Sequence, residues 1–550
     1  MFKKYVQQLQ TEFGGYSPKR LGQDAMAGLT VCAVALPLAL AFGVSCGADA
    51  AAGLITAILA GVVISALSGA SYQISGPTGA MTAVLVTIVA KYQLQGVFLV
   101  SFMAGVLLLI ASLFKLGKLV SLIPGPVVTG FTSGIAIIIA LGQIDNFFGT
   151  TSKGETAIQK LMSYGSLGFH PDWQAIVIGL LVIAVMVIWP KAWNARVPSS
   201  LVGIIAATIV SQVFGFSVTE VGEIPRTLLP DVRFDLFSIE WSSVLNLLSP
   251  AFTVAALAMI ESLLCGASAS SMKNEPFDAD QELFAQGVGN MLIPFFGGVP
   301  ATAAIARTSV AIKSGGQTRL TGIFHALFLL ASMFILGPVM SKLPLAALAG
   351  VLMVTAWRMN EWHSIRYIFN KKFKSAIFQF LVTMMATVVF DLTIAILIGV
   401  LVSMILFVAK STDLAVSVSK VRNEKLRGSD VDVESTHANT YVVYVTGPIF
   451  FGNVEKLATR LQELTDCGEI IFSLRGVPSI DTTGVQTFMN ICRNCRSDGM
   501  RVVFCGVHDT VRVMMQRAGL EESIGSDAFY WSVDKALLEK QTEETSGCSC

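Results

Sequence analysis

Apolar residues run in long stretches from about Gly22 to Ala409 and in short alternating patches after Lys410. A bilayer crossing takes about 20 apolar residues. On that measure candidate spans begin near Asp24, Ala51, Gln73, Val97, Leu119, Trp173 and Ser199, then near Leu247, Gln281, Val299, Thr318, Leu343, Lys374 and Asp391, about fourteen in all. Two of them are interrupted. One opens with Gln73-Ile74-Ser75-Gly76-Pro77-Thr78-Gly79-Ala80, the other with Phe295-Phe296-Gly297-Gly298-Val299-Pro300-Ala301-Thr302-Ala303-Ala304-Ile305-Ala306-Arg307. Glycine and proline there oppose a continuous helix. Each pattern predicts an extended approach and then a helix that starts mid-membrane, near Thr78 in the first and near Ala301 in the second.

A helix start exposes unpaired N–H groups and a partial positive charge. Irregular backbone at bilayer depth is tolerated where it is buried in protein or lines a cavity. Two such starts are therefore a place for an anion. The candidate binding residues are Thr78, Gly79 and Ala80 at one start and Ala301, Thr302 and Ala303 at the other. Arg307 adds a full charge further along the second helix. Thr78 and Thr302 can touch the anion or simply cap their helices. Arg307 can bind the anion directly or neutralise a carboxylate. That carboxylate is Glu261, in the apolar run 251–262, where a charge costs about 2.5–3.5 kcal/mol on insertion scales. Glu261 either takes a proton or contacts Na+ as the anion binds, or it pairs structurally with Arg307 or with backbone amides. A protonated Glu261 beside an anion avoids like-charge repulsion, a direct route to H+ symport.

The halves of the apolar region repeat each other. Ala111-Ser112-Leu113-Phe114 aligns with Ala331-Ser332-Met333-Phe334, and Gly117, Ser121, Pro124 and Gly130 align with Gly337, Ser341, Pro344 and Gly350, always 220 positions apart, as 111 is from 331. Seven spans per copy is an odd number, so the copies insert in opposite directions, as inverted-topology repeats do. The expected fold is an all-α polytopic membrane protein of 7+7 spans with a small α/β domain behind it.

Composition agrees: of 550 residues 53% are hydrophobic and 14% charged. Basic residues place the sides. Lys3, Lys4, Lys19, Arg20, Lys115, Lys118, Lys191, Arg196, Lys313, Arg319, Arg358 and Arg366 share one face. Glu220, Glu223, Asp231, Asp235 and Glu240, set against Arg226 and Arg233, occupy the other. The expectation is a multi-pass protein of the plasma (bacterial inner) membrane, with residues 1–23 and the C-terminal domain cytoplasmic. A formal net charge of +1 argues neither way on nucleic acid, and none is expected as a partner. Cysteines in both parts suggest a reducing compartment. Cys492-x-x-Cys495 lacks the second pair or histidine of a metal site. No P-loop, catalytic triad or dinucleotide motif is present, so neither an enzyme nor a cofactor is expected. His325 reads as a packed polar residue and Asp391 as a helix cap.

After Asp432 strands and helices alternate: strands at 441–445, 469–474 and 501–504, helices at 453–464, 482–496 and 510–517. This pattern predicts an α/β layer over 432–540. Residues 541–550 form a polar tail expected to be disordered.

Four stretches carry a family resemblance: Ala35-Leu36-Pro37-Leu38-Ala39-Leu40-Ala41-Phe42, Gln73-Ile74-Ser75-Gly76-Pro77-Thr78-Gly79, Gly297-Gly298-Val299-Pro300-Ala301-Thr302-Ala303-Ala304-Ile305-Ala306-Arg307-Thr308 and Asp481-Thr482-Thr483-Gly484. The chain resembles the SulP anion transporters (solute carrier 26-like) with a C-terminal STAS domain. The resemblance implies a transport domain over 24–410, a core of spans 1–4 and 8–11 moving against a gate of spans 5–7 and 12–14, and elevator-type alternating access. It also implies a homodimer, a sulfate-, bicarbonate-, chloride- or dicarboxylate-type substrate, and an aromatic at the site, here Phe42. Leu38 departs from the glutamine of many eukaryotic members. In stand-alone STAS proteins the residue after the Asp, here Thr482, can be phosphorylated. The domain otherwise regulates or assembles the transporter, with a possible protein partner. The expected function is H+-coupled uptake of a dicarboxylate or inorganic oxyanion. Na+-coupled bicarbonate or sulfate transport is the alternative, and a non-transporting anion sensor signalling through STAS is a rival of another class.

Overall fold

The computed structural model describes residues 2–118, 123–154, 157–190, 197–222, 224, 227–235, 241–390, 392–421, 439–462 and 467–538. Lys191, Arg196, Glu223, Arg226, Glu240, Asp391, the domain start near Asp432 and the tail at 541–550 lie outside them. The chain divides into a unit over Met1–Val402 and another over Ser403–Cys550.

The first unit is helical. Its main elements are α1 (Phe2–Phe13), α2 (Pro18–Ser45), α3 (Ala50–Leu67), β1 (Ser75–Gly76), α4 (Gly79–Leu113), α5 (Gly125–Gly142), α6 (Ala157–Leu167), α7 (Trp173–Ile188), α8 (Ser199–Val213), α9 (Trp241–Lys273), α10 (Ala279–Leu292), β2 (Thr302–Ala303), α11 (Ile305–Lys313), α12 (Leu320–Met340), α13 (Leu345–Met359), α14 (Trp362–Asn370), α15 (Lys374–Val389) and α16 (Leu392–Ser411), which continues past the division at Val402. Seven helices among the described residues are long and apolar enough to cross a membrane, and α7, α8, α13 and α15 are shorter apolar ones. Local chemistry sets the boundaries. Ser17 caps α2 ahead of Pro18 in its first turn, Asp49 caps α3 by accepting from the Ala52 N–H, and Asp278 caps α10 the same way from Gln281. Inside α4, Gln93 leaves helical geometry at φ 58° and ψ −172°. The part of α4 before Gln93 starts beside α9, where Thr78 meets Glu261. The part after it runs beside α10, where Ser101 donates to the Asn290 carbonyl and Ser112 to that of Asp280.

The duplication shows in matched contacts. Pro124 caps α5 and Pro344 caps α13. A Cβ on Gly130 would lie 2.5 Å from the Phe380 carbonyl oxygen, and one on Gly350 would lie 2.8 Å from that of Gly179. So α5 touches α15 as α13 touches α7, backbone against backbone, which only small residues permit. The interrupted segments also meet. β1 and β2 pair antiparallel, Ser75 opposite Ala303 and Gly76 opposite Thr302. The first helix begins at Gly79, beside the expected Thr78. The second begins at Ile305, one turn later than the expected Ala301, because the backbone of Thr302 and Ala303 is extended and paired with the other limb.

The second unit holds a five-stranded sheet ordered β3-β4-β5-β6-β7, formed by β3 (Ala415–Lys420), β4 (Thr440–Thr446), β5 (Glu469–Gly476), β6 (Arg501–Cys505) and β7 (Phe529–Tyr530). β3 is antiparallel to β4 and the rest are parallel. The helices α17 (Val454–Gln462), α18 (Thr482–Ser497) and α19 (Asp509–Arg517) join and follow the parallel strands, as parallel pairing requires. β3 lies ahead of the expected domain start at 432, so the sheet takes in an edge strand that the alternation pattern left in the linker. Phe472, Phe488 and Phe504 fill the core, with ring centroids 5.2–5.4 Å apart.

Candidate anion site

The two limbs come together at a carboxylate. Glu261 sits in the middle of α9, partly exposed. Its Oε2 accepts from Thr302 Oγ1 at 2.6 Å and from Thr78 Oγ1 at 2.9 Å. The two hydroxyl oxygens are 3.1 Å apart. Thr78 is 5% exposed and Thr302 0%. Thr78 also caps α4, accepting from the Met81 N–H. Ala304 at the start of α11 has no side chain that can do this. Oε1 of Glu261 has no hydrogen bond among the described residues.

Gly79 and Ala80 form the first turn of α4, and both are buried. A Cβ at Gly79 would collide with Ile139 Cδ1 and fall 3.3 Å from Phe42 Cε1, so glycine is needed for the close approach of those side chains. Phe42, near the end of α2, therefore packs over the start of α4. Ala301 and Ala303 are at the second limb, but their N–H groups are engaged. Ala301 donates to Asn290 Oδ1 at 2.7 Å and Ala303 to Ser262 Oγ at 3.1 Å. Arg307, 1% exposed, makes no ion pair with Glu261 among the described residues. Its Nη2 donates to the Pro77 carbonyl at 2.7 Å, tying the second limb to the first. Its Nη1 is buried without a partner and occupies the space that a Cβ on Gly76 would need.

Residues that the hydrophobic pattern does not single out hold the limbs in place. Glu282, Gln286 and Asn290 follow one another at four-residue steps on one face of α10, and none is more than 1% exposed. Asn290 Nδ2 donates to the Ala301 carbonyl at 2.9 Å. Gln286 Nε2 donates to Ser75 Oγ and to Glu282 Oε1, each at 2.8 Å. Glu282 Oε2 accepts from Ser68 Oγ at 2.5 Å and from the Gly69 N–H at 3.2 Å. Gln73 reaches the Ser262 carbonyl at 2.7 Å. Their signal was available: polar residues inside an apolar span, at helical spacing, usually face protein rather than lipid.

A cavity of about 510 Å³ opens next to the start of α4, with Thr78, Glu261, Thr302 and Arg307 outside its lining. Phe42, Ile139 and Thr82 line it next to the start of α4, and Lys91, Lys160 and Asn246 line it elsewhere. Its lining contains two lysines and no carboxylate.

The sequence pattern described as the sulfate permease family matches residues 21–386, and that of the STAS domain matches 431–536. The chain belongs to the sulfate permease family. It is an anion transporter of that family, with helices built for the membrane and a STAS domain, and not an enzyme. It is 32% identical to "Putative sulfate transporter YvdB" of Bacillus subtilis over 94% of this chain and 97% of that one. It is 28% identical to the bicarbonate transporter BicA of the cyanobacterium Picosynechococcus over 94% of each. Among solved structures it resembles SLC26A9, at a TM-score of 0.82 and 17% identity over 96% of this chain and 92% of that one. It also resembles the transmembrane domain of BicA, at 0.63 and 29% identity over 71% of this chain and 98% of that one. The first likeness shows a shared fold.

Proposed function

We propose that the protein is a secondary active importer that carries a small inorganic oxyanion or a dicarboxylate together with a proton. The anion binds where the two limbs meet, between Phe42, Thr78, Gly79 and Ala80 on one side and Ala301, Thr302, Ala303 and Arg307 on the other. With the amides of Ala301 and Ala303 held by Asn290 and Ser262, the N–H groups at the start of α4 and the two threonine hydroxyls are the nearest donors. The names of the relatives favour the oxyanion over the dicarboxylate.

One observation carries this reading: a single glutamate shared by two threonine hydroxyls at the junction of the two limbs. Each helix start contributes about half a positive charge, and Arg307 a whole one. Ionised Glu261 offsets part of that field. Protonated, it leaves the field to an incoming anion, so proton and anion bind together. The hydroxyls suit both forms. Facing a carboxylate, both donate to Oε2. Facing a carboxylic acid, Thr302 accepts from it and donates across the 3.1 Å gap to Thr78. The proton can come and go without orphaning a buried polar atom.

Alternating access by an elevator motion of a core against a gate, in a homodimer with cytoplasmic termini, completes the proposal. The STAS unit is the regulatory part. Thr482 is exposed at the start of α18, where Asp481 caps the helix through Gly484 at 2.7 Å, so a phosphate there would meet a helix amino end. Uptake of labelled sulfate, bicarbonate and succinate into proteoliposomes, under a pH gradient or a Na+ gradient, tests the function. Uptake driven by the pH gradient and lost in Glu261→Gln is the expected result. Uptake driven by Na+ alone would assign Glu261 to a cation instead, and no flux of any anion would favour a sensor.

A further inference from the structure

The amino-terminal helix is bound, through one stripe of side chains, to the segments that flank the two limbs. Tyr5, Gln8 and Glu12 stand three and four residues apart, hence on one face of α1. Tyr5 donates to the Ala66 carbonyl at 2.5 Å and Gln8 to that of Gly69 at 3.1 Å. Ala66 is in the last turn of α3 and Gly69 is in the stretch that leads from it into β1. Glu12 binds Arg319, in the stretch that leads from α11 into α12. Its Oε2 takes Nη2 at 2.8 Å and Nε at 3.0 Å, and its Oε1 takes the Arg319 backbone N–H at 2.6 Å. Arg319 in turn donates to the carbonyls of Ala66 at 2.8 Å and Ser68 at 3.3 Å and lies over the Tyr5 ring. The Arg319 and Glu12 side chains are 4% and 5% exposed. A buried pair in which one carboxylate oxygen takes two guanidinium N–H groups, the other a backbone N–H, and the guanidinium also satisfies main-chain carbonyls has one geometry, and fixing geometry is the best-attested use of such a pair.

We propose that α1 is a latch that sets the distance between the two limbs, and that Tyr5, Gln8 and Glu12 are positioning residues for the anion site. The latch joins the segment entering β1 to the segment leaving α11, while Ser68 and Gly69, inside it, also hold Glu282 and hence Gln286 and Ser75. A shift at the latch reaches the β1–β2 pair through continuous hydrogen bonds. This rests on reading the Thr78–Glu261–Thr302 cluster as the anion site.

The test uses the full chain in lipid, comparing wild type with Glu12→Gln and with the milder Tyr5→Phe/Gln8→Ala pair. Hydrogen exchange of segments 74–82 and 300–308 reports the limbs without requiring transport, and the amides of β5 and β6 serve as an internal control. The expected result is exchange at least tenfold faster in both limbs, with the control unchanged. Sulfate uptake should show a severalfold higher KM, with the maximal rate less affected. A synthetic peptide covering residues 1–16, added to a chain lacking residues 2–14, should restore slow exchange. Should Glu12→Gln not fold, the milder pair decides. Unchanged limb exchange in folded variants would overturn the latch. If wild type carries neither sulfate nor bicarbonate, the transport reading is what fails, while the exchange comparison still decides whether α1 sets the limbs.

Discussion

The helical unit and the sheet unit hide different things. At the heart of the helical unit Glu282, Gln286 and Asn290 are linked to one another by hydrogen bonds, with buried Arg307 bound to Pro77 and partly exposed Glu261 bound to two threonines. At the heart of the sheet unit lie the rings of Phe472, Phe488 and Phe504, while Arg512, which pairs with Glu521, stays partly exposed. A core of rings needs only the hydrophobic effect to form. A core of polar side chains has to satisfy every buried donor and acceptor or lose stability. Keeping one in a membrane protein makes sense where the polar groups work.

That contrast can be broken by substitution. The largest effect is expected at Arg307. Arg307→Met removes a charged hydrogen bond to Pro77 and the one full positive charge at the cluster. Losing the bond to Pro77 should cost up to about 3 kcal/mol of folding stability, read as a lower unfolding temperature, and losing the charge from the anion site should raise KM for uptake by protein that still elutes as one species. Gly76→Ala comes next. Its Cβ would collide with Arg307 Nη1, and overpacking of that kind costs about 1–3 kcal/mol, read as a lower unfolding temperature together with weaker uptake. If Gly76→Ala is silent, Arg307 is not held where its bond to Pro77 implies. Thr302→Val should cost about 1.5 kcal/mol through one lost bond to Glu261. Thr78→Val should cost about 1 kcal/mol more, because only Thr78 also caps a helix. Equal losses in thermal denaturation would erase that difference between the limbs.

The smallest effect belongs to the sheet unit. Arg512 at 2.8 Å holds the Glu521 carboxyl below its ordinary value of 4.5. A depressed folded value adds stability above the unfolded value, and that stability is lost as pH falls through the folded one. Glu521→Gln should therefore speed amide exchange in α19 slightly at neutral pH, and the difference should shrink as pH falls below 4.5 and vanish once it is below the lowered folded value. A large effect at neutral pH would contradict the view that only the helical unit depends on its polar contacts.

The limbs were legible because glycine and proline interrupt otherwise unbroken apolar runs, and the sheet unit because its strands and helices alternate with the proper periods. The start of α11 was misplaced by a turn. Local pattern sees Pro300 as a helix opener, whereas pairing with Ser75 and Gly76, more than two hundred positions away, keeps Thr302 and Ala303 extended. The free amides expected at Ala301 and Ala303 were lost to Asn290 and Ser262 for the same reason: nothing nearby in the chain announces a partner on another helix. Glu261 stood out as a lone acid among apolar neighbours. Glu282, more deeply buried still, did not, because Asp278 and Asp280 beside it give the pattern of a solvated helix start.

The twin glycine contacts carry one more consequence. At Gly130 and at Gly350 a glycine sits against a carbonyl of the facing helix, with the side chain of Thr383 or Val182 close beside it. Both contacts join a helix of one copy to a helix of the other, α5 to α15 and α13 to α7, so they stitch the duplicated halves together, and a larger side chain at either glycine should wedge its seam open.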